Sequence, residues 1–203
     1  PDDRRPFDFV SLLDYHQARR YKPRAGRGAF LLSREECWAL NQEATQYYWR
    51  RLSFFELREY ERAEQDAVHN LEILDLCEEC AAHEDDRRMS EQYRVFVMAH
   101  RAQARALALL ERQEHELALA EIRSGIREIT GLLEQRGDLG KVADCAELRF
   151  LEEWELEVDT NRPLSPREKL SADLRSAVAQ EQFELAASLR DRLRMLEAGQ
   201  VHD

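Results

Sequence analysis

The chain has 203 residues, of which 43% are hydrophobic and 35% are charged, with only 7 glycines and 5 prolines. A sequence so poor in turn-forming residues and rich in Ala, Leu, Glu and Arg excludes sandwiches, barrels and low-complexity chains, and it predicts an all-α protein with short connections. No stretch approaches the roughly 20 apolar residues that a membrane-spanning helix needs. The net charge of −11 argues against broad DNA binding, which requires a concentrated basic face.

The first 33 residues form a basic arm. Residues 1–34 carry eight Arg or Lys and four Asp, a net charge of +4. Within the arm, residues 9–20 are predicted to form a short amphipathic helix, and the Pro and Gly of residues 21–28 predict a loop. Five cations of the arm follow one another with no acid between them and are candidates for contact with phosphate or with an acidic partner surface: Arg19, Arg20, Lys22, Arg24 and Arg27.

A strongly acidic stretch follows the arm. Residues 59–86 carry eleven Asp or Glu against one Arg, a net charge of −10. Opposite charges on the arm and this stretch predict attraction within one molecule or between two molecules. The alternative is that both are simply solvated surfaces.

The middle of the chain is predicted to be a helical domain over residues 34–158. Ser33 and Glu36 have the spacing of a capping box, which begins a long helix extending to about residue 57. Gly137 is expected just after the end of the fourth helix of this domain. Apolar residues at spacings of three and four predict the remaining four helices, over about residues 59–83, 87–112, 115–136 and 141–158.

Two stretches of this domain, 55 residues apart, resemble each other. Each begins a second helix with a ring-bearing residue followed three positions later by alanine, as Tyr60 and Ala63 in one stretch and as His115 and Ala118 in the other. This pattern resembles tetratricopeptide repeats, whose second helix starts Tyr-x-x-Ala, although their period is about 34 residues. The resemblance implies two lengthened helix pairs stacked as a bundle or short solenoid. Convergent packing of unrelated helical hairpins is the alternative.

A second module is predicted after a linker at residues 159–164. Ser165 has the position of a helix cap, Pro166 of the first helical residue and Glu168 of the partner in a second capping box. A helix of about 14 residues, a turn at 180–182 and a second helix complete a two-helix hairpin over residues 165–198, called here the C-terminal hairpin.

The C-terminal hairpin contains two runs that follow a recognisable pattern: Leu170-x-x-x-Leu174-x-x-Ala177-Val178 and Phe183-Glu184-x-Ala186-Ala187-x-x-Arg190-Asp191-x-Leu193-x-x-Leu196. These runs resemble the UVR motif, a helical hairpin named for the UvrB and UvrC subunits of bacterial excision repair. Leu174 stands where the motif usually has Met, and Glu181 stands where it usually has Leu. The rest of the chain is similar, less specifically, to bacterial proteins that join such a hairpin to a helical domain. The resemblance implies pairing with another hairpin.

The residues of the C-terminal hairpin independently predict a protein partner. A piece this small buries too little surface to be stable alone, and its apolar arc is wider than one partner helix requires. Its six basic and six acidic residues cancel, so it has no bias toward phosphate. A fold-back onto the chain's own helical domain is the alternative. The candidate partner-binding residues are Leu174, Val178, Phe183, Ala186, Ala187, Leu189, Arg190, Asp191 and Leu193.

The cysteines allow a weaker hypothesis. Cys77, Cys80 and His83 are spaced by three on a predicted helix, which leaves a zinc site open, but a second cysteine pair is lacking and buried free thiols are favoured. Free thiols without a visible secretion signal predict a cytoplasmic protein. The six histidines show no catalytic spacing, so neither enzymatic activity nor a cofactor is expected.

The sequence therefore predicts a non-enzymatic adaptor that uses the C-terminal hairpin to pair with another hairpin, either its own copy or one on a DNA-repair or protease-associated protein. The alternative is a nucleic-acid-associated protein that contacts phosphates through residues 19–27. A metal or catalytic role around Cys77 and Cys80 ranks third.

Overall fold

The structure, a computed structural model, describes residues 9–21, 29–137, 142 and 144–199. The described part is all-helical, as the sequence predicts. The chain divides into two compact units, residues 1–159 (the first unit) and residues 160–203 (the second unit). The helices of the described ranges are α1 (Leu12–Tyr21), α2 (Arg34–Glu56), α3 (Tyr60–Cys80), α4 (Glu84–Glu91), α5 (Arg94–Glu111), α6 (His115–Gln135), α7 (Ala146–Asn161), α8 (Pro166–Ala179) and α9 (Phe183–Gly199).

The first unit is built from two helix pairs, α2 with α3 and α5 with α6, and α3 also packs against α5. Its apolar side chains form two main cores. One core lies among α1, α2 and α3 and contains Leu13, Leu40 and Ile73; the other lies among α5, α6 and α7 and contains Ile122 and Leu151. None of the described helices is long and apolar enough to cross a membrane.

A glycine allows α5 and α6 to pack closely. A Cβ atom added at Gly125 would lie 2.5 Å from the Cβ of Ala102, which is closer than real Cβ atoms come. The two helices therefore meet at this level because Gly125 has no side chain.

The two helix pairs share one turn geometry, so the sequence similarity at an offset of 55 is also a similarity of the backbone. Arg58 and Gln113 take the left-handed conformation, at φ of 58° and 64°. The next residue in each turn, Glu59 or Glu114, donates its N–H to a carbonyl five residues back, over 2.9 and 3.0 Å. Because the left-handed residue also donates to a carbonyl three residues back, each turn is a Schellman motif.

The helix caps form as predicted where the sequence signal lies within a few residues. Both capping boxes form, with Ser33 and Glu36 at α2 and with Ser165 and Glu168 at α8. Gly137 follows the cap of α6 at a φ of +72°, as predicted. Helix α1 instead begins at Leu12, later than the predicted residue 9, where the Glu43 carboxylate of α2 accepts its first backbone N–H groups.

One helix predicted from periodicity ends earlier than expected. The helix predicted through His83 stops at Cys80, because Ala81 adopts an extended conformation and forms an isolated bridge with Leu32. Hydrogen bonds from Leu32 N to Cys80 O (2.7 Å) and from Ala82 N to Leu32 O (3.0 Å) hold this bridge. The prediction that His83 continues the helix of Cys77 and Cys80 is therefore wrong.

The helix predicted over residues 87–112 is two helices, α4 and α5. The buried Arg94 begins α5 and donates to Glu91 at the end of α4, with its Nε 2.9 Å from both carboxylate oxygens. The same guanidinium reaches Asp75 (2.5 Å) and Glu78 (3.1 Å) of α3. Three carboxylates thus satisfy the buried cation at the point where the two helices meet.

Candidate functional site

The first helix of the C-terminal hairpin begins at a strongly held cap. The Ser165 hydroxyl accepts from Glu168 N (3.2 Å), and the Glu168 carboxylate accepts from Ser165 N (2.8 Å). Arg162 donates to both oxygens of that carboxylate, over 2.7 and 2.5 Å. This guanidinium, together with the backbone of Ser165, lowers the pKa of Glu168 to about 2. The cap thus stays charged in ordinary buffers.

The turn of the C-terminal hairpin repeats the geometry of the two turns in the first unit. Glu181 is left-handed at a φ of 57°, and Gln182 donates to the carbonyl of Ala177 over 2.9 Å. Phe183 then begins α9 and Ala186 follows three residues later, like the ring and alanine pairs that begin α3 and α6. Glu181, where the resembling motif usually has Leu, is exposed in this turn.

The C-terminal hairpin has its own small apolar core. Leu170 and Ala177 of α8 are buried against Ala186 and Leu189 of α9. Among the predicted partner-binding residues, Ala186 and Leu189 therefore hold the two helices together. Leu174 and Leu193 pack partly against the same core.

The other predicted partner-binding residues lie at the surface. Phe183 is 68% exposed and Val178 is 53% exposed, one on each side of the turn. Ala187 is half-buried, and Arg190 and Asp191 are exposed and paired with each other over 3.0 Å.

Sequence reasoning missed one prominent member of this surface. Met195 is 75% exposed on α9, and Leu185 is also exposed. Residues 186, 189, 193 and 196 share the spacing of three and four that faces α8, and Met195 falls outside that spacing. The sequence could have indicated this exposure, because Met195 is apolar yet does not share the helical spacing of the residues that face α8.

The described part of the basic arm is paired with acids of the first unit. Arg19 pairs with Glu36, and Arg20 pairs with Glu79 over 2.5 Å. The attraction between the arm and the acidic stretch thus occurs within one molecule at Arg20 and Glu79. The remaining candidates, Lys22, Arg24 and Arg27, lie outside the described residues, so phosphate contact through residues 19–27 stays a prediction.

Cys37, Cys77 and Cys80 of the first unit are buried thiols outside any disulfide, and Cys145 is partly buried. Hydrogen bonding to Cys77 and burial raise the pKa of Cys37, and burial raises the pKa of Cys80. A raised pKa disfavours the thiolate that zinc requires. The ranges that the structure describes contain no group of three or more His, Cys, Asp or Glu side chains that could hold a metal ion.

A comparison with protein families identifies the C-terminal hairpin. The model of the UVR family, described as the UvrB/uvrC motif, matches residues 167–199, which include nearly all of α8 and all of α9. This motif is a helical hairpin known for protein interactions and found in DNA-repair proteins. Neither a search of curated proteins nor a search of solved structures gave a significant match to the chain.

Proposed function

We propose that the chain is a non-enzymatic cytoplasmic adaptor whose C-terminal hairpin pairs with another helical hairpin. The partner hairpin belongs to a second copy of the chain or to a DNA-repair or protease-associated protein. One observation carries the proposal: the segment that matches the UVR family buries its core within itself yet leaves Phe183 and Val178 exposed beside its turn.

Physical chemistry supports a protein partner for this surface. Large apolar side chains grouped at one end of a small hairpin gain free energy when a second apolar surface covers them. Arg190 and Asp191 pair only with their sequence neighbour in the described structure, and a partner hairpin could offer each of them a second charged group. The hairpin's balanced charge gives a nucleic acid no comparable advantage.

The first unit, in this proposal, is a tetratricopeptide-like domain that presents a concave groove to a second partner. Its support is the Schellman turn that α2–α3 and α5–α6 share at an offset of 55 residues. The close approach of α5 and α6 at Gly125 is a further point in favour, since small residues let repeat helices pack tightly. Such a domain joined to a pairing hairpin would bring two proteins together.

The test replaces an exposed apolar residue of the C-terminal hairpin without touching its core. In Phe183→Glu the new carboxylate sits in the first turn of α9, where a negative charge favours the helix, so the hairpin stays folded. Ser188→Glu is the matched control, because Ser188 is an exposed polar residue of the same helix. Leu189→Glu is unsuitable, since Leu189 is buried in the hairpin core.

We expect Phe183→Glu to abolish self-association measured by light scattering, or to abolish capture of a protein that carries a hairpin of the same family, while circular dichroism stays unchanged. Ser188→Glu should behave like the wild type. A monomeric wild-type chain that captures no such hairpin protein contradicts the proposal, and so does a Phe183→Glu variant that still pairs.

A further inference from the structure

A cleft in the first unit is lined by residues with unsatisfied buried polar atoms. The cleft has a volume of about 700 Å³, lies among α2, α3 and α5, and is lined by the rings of Trp38, Tyr48 and Phe96. Three buried side-chain polar atoms of residues that line this cleft lack a hydrogen-bond partner in the described ranges: Asn41 Nδ2, Arg51 Nη1 and Asn70 Oδ1. Unpaired buried polar atoms are costly, so their clustering at one cavity points to a ligand.

The cation in this cleft has no carboxylate within ion-pair distance among the described residues. Arg51 is 1% exposed, and its Nε donates a hydrogen bond to Nδ1 of His100 over 3.2 Å. Burial and the neighbouring Arg51 lower the pKa of His100 to about 4, so the imidazole is neutral and cannot balance the guanidinium. The nearby carboxylate of Asp66 is held by Arg50, at 2.8 and 2.6 Å. Arg51 forms no ion pair within the part of the chain that the structure describes, although the charge of Asp66 acts on it from a longer distance.

The two asparagines offer one acceptor and one donor to a ligand. Asn70 donates its Nδ2 to the Ala44 carbonyl over 3.1 Å, which fixes the orientation of its amide and leaves Oδ1 as a free acceptor. Asn41 lies one helical turn before Ala44 and offers the free donor. An amide group, with its N–H and C=O, complements this pair.

The spacing along α2 sets the length of the ligand. Ala44 and Arg51 are seven residues apart, which is about 10 Å along a helix axis. This spacing separates the amide-binding end of the cleft from the Arg51 guanidinium by roughly the length of a dipeptide derivative. The volume of the cleft also lies within the usual range of small-molecule sites, about 300–1,000 Å³.

The charge around the cleft limits the ligand to a single negative group. Glu147 also lines the cleft, and the thiol of Cys145 donates to its carboxylate over 3.5 Å. The chain as a whole carries a net charge of −11. Both features disfavour polyphosphates and nucleic acids, whereas one carboxylate is matched by the one unpaired guanidinium.

We propose that this cleft binds a small, peptide-like carboxylic acid. Its carboxylate meets Arg51, its amide group meets Asn41 and Asn70, and its apolar groups pack among the aromatic rings. One ligand with these groups is a free acylated dipeptide. The carboxyl terminus of a longer peptide carries the same groups. The site involves residues of the first unit alone and does not depend on pairing by the C-terminal hairpin.

The test is calorimetric titration of the full chain with N-acetyl-leucyl-phenylalanine, used as the probe. The matched ligand control is the same molecule with its carboxylate converted to an amide. A longer peptide with the same two C-terminal residues distinguishes the sources, because it binds more tightly than the probe only if residues beyond the dipeptide also contact the protein.

Two variants complete the design. Arg51→Met removes the buried charge with little loss of volume, and replacing a buried charge by an apolar side chain of similar size is often neutral or stabilising, so the fold is retained. Arg62→Met is the control, since Arg62 is an exposed cation of the same unit that pairs with Glu59. Thermal unfolding checks that both variants are folded.

We expect saturable binding of the free acid at concentrations up to about 5 mM, and binding at least about tenfold weaker for the amide and for Arg51→Met. Arg62→Met should bind like the wild type. Equal binding of acid and amide, unchanged binding by a folded Arg51→Met variant, or no heat from any probe overturns the proposal.

Discussion

Arg51 and His100 meet inside the first unit, where the Nε–H of Arg51 donates to Nδ1 of His100. The imidazole also lies against the rings of Phe96 and Phe55, at centroid distances of 4.2 and 5.6 Å. A charged imidazole would lose its acceptor nitrogen and face a cation in a poorly solvated place. For this reason the pKa of His100 is lowered to about 4 from its ordinary 6.5.

This lowered pKa predicts a loss of stability in mild acid. Between pH 6.5 and pH 4 the unfolded chain binds a proton at this residue that the folded chain does not bind, so stability falls as the pH decreases through this window. The full effect is on the order of 3 kcal/mol, and it is absent above pH 6.5. Urea unfolding of the wild type and of His100→Gln, which keeps an acceptor for Arg51, checks the prediction.

The expected result is a shallower pH dependence for His100→Gln over this window, because carboxylates that titrate in the same range contribute equally to both proteins. His83→Gln, which removes an exposed imidazole, is the control. If the wild type and His100→Gln lose stability in parallel from pH 6.5 to pH 4, the assigned pKa is wrong.

At the scale of elements, the three helical hairpins end their first helices in the same way, although none has glycine at the left-handed position. Arg58, Gln113 and Glu181 occupy it at φ of 57° to 64°. A side chain costs roughly 1–2 kcal/mol in this conformation, whereas glycine takes it without steric cost but loses more conformational entropy on folding. The balance at such a position still favours glycine.

We therefore predict that Gln113→Gly raises the free energy of unfolding by about 0.5–1 kcal/mol. Gln113 is exposed, and its side-chain hydrogen bonds to Leu110 O (3.5 Å) and to Nε2 of His115 (3.4 Å) are long, so little else is lost. Chemical denaturation measures the change. Glu111→Gly, two residues earlier and still helical, is the control and should lower stability by up to about 1 kcal/mol. A destabilised Gln113→Gly variant would show that the glutamine contributes contacts beyond the backbone.

The sequence predicted those elements whose signals are local. Ser33 with Glu36 and Ser165 with Glu168 are short-range pairs, and both form as expected. No glycine or proline marks the break between α4 and α5, and Arg94 beside it pairs with carboxylates of α3 that are distant in sequence, so no local signal in the sequence predicts it. The helix end at Cys80 likewise follows from the bridge between Ala81 and Leu32, which lies almost fifty residues earlier in the sequence.

The candidate sites show the same limit. The apolar arc of the C-terminal hairpin was visible in the sequence, but burial of Leu189 and exposure of Phe183 follow from how α8 meets α9. No sequence motif indicated the cleft of the first unit. Asn41, Arg51 and Asn70 become a site only because α2 and α3 pack beside α5.

At the scale of the whole molecule, each compact unit has an apolar core of its own. The first unit has large cores, one of which includes Leu151, and the C-terminal hairpin has a small core of four buried residues centred on Leu170 and Leu189. A core of that size contributes little stability compared with the entropy of ordering two helices. The first unit should therefore fold without the hairpin, whereas the isolated hairpin should be marginal.

We predict that a chain ending at Asn161 keeps the thermal midpoint of the first unit, measured by circular dichroism. Leu151→Ala calibrates the comparison: Leu151 is fully buried, and its truncation should cost about 2–5 kcal/mol in the full chain and in the shortened chain alike. Equal costs mean that the core around Leu151 is complete within the first unit. A shortened chain that melts well below the full chain would instead show that the first unit needs residues of the hairpin, and it would favour fold-back over pairing with another chain.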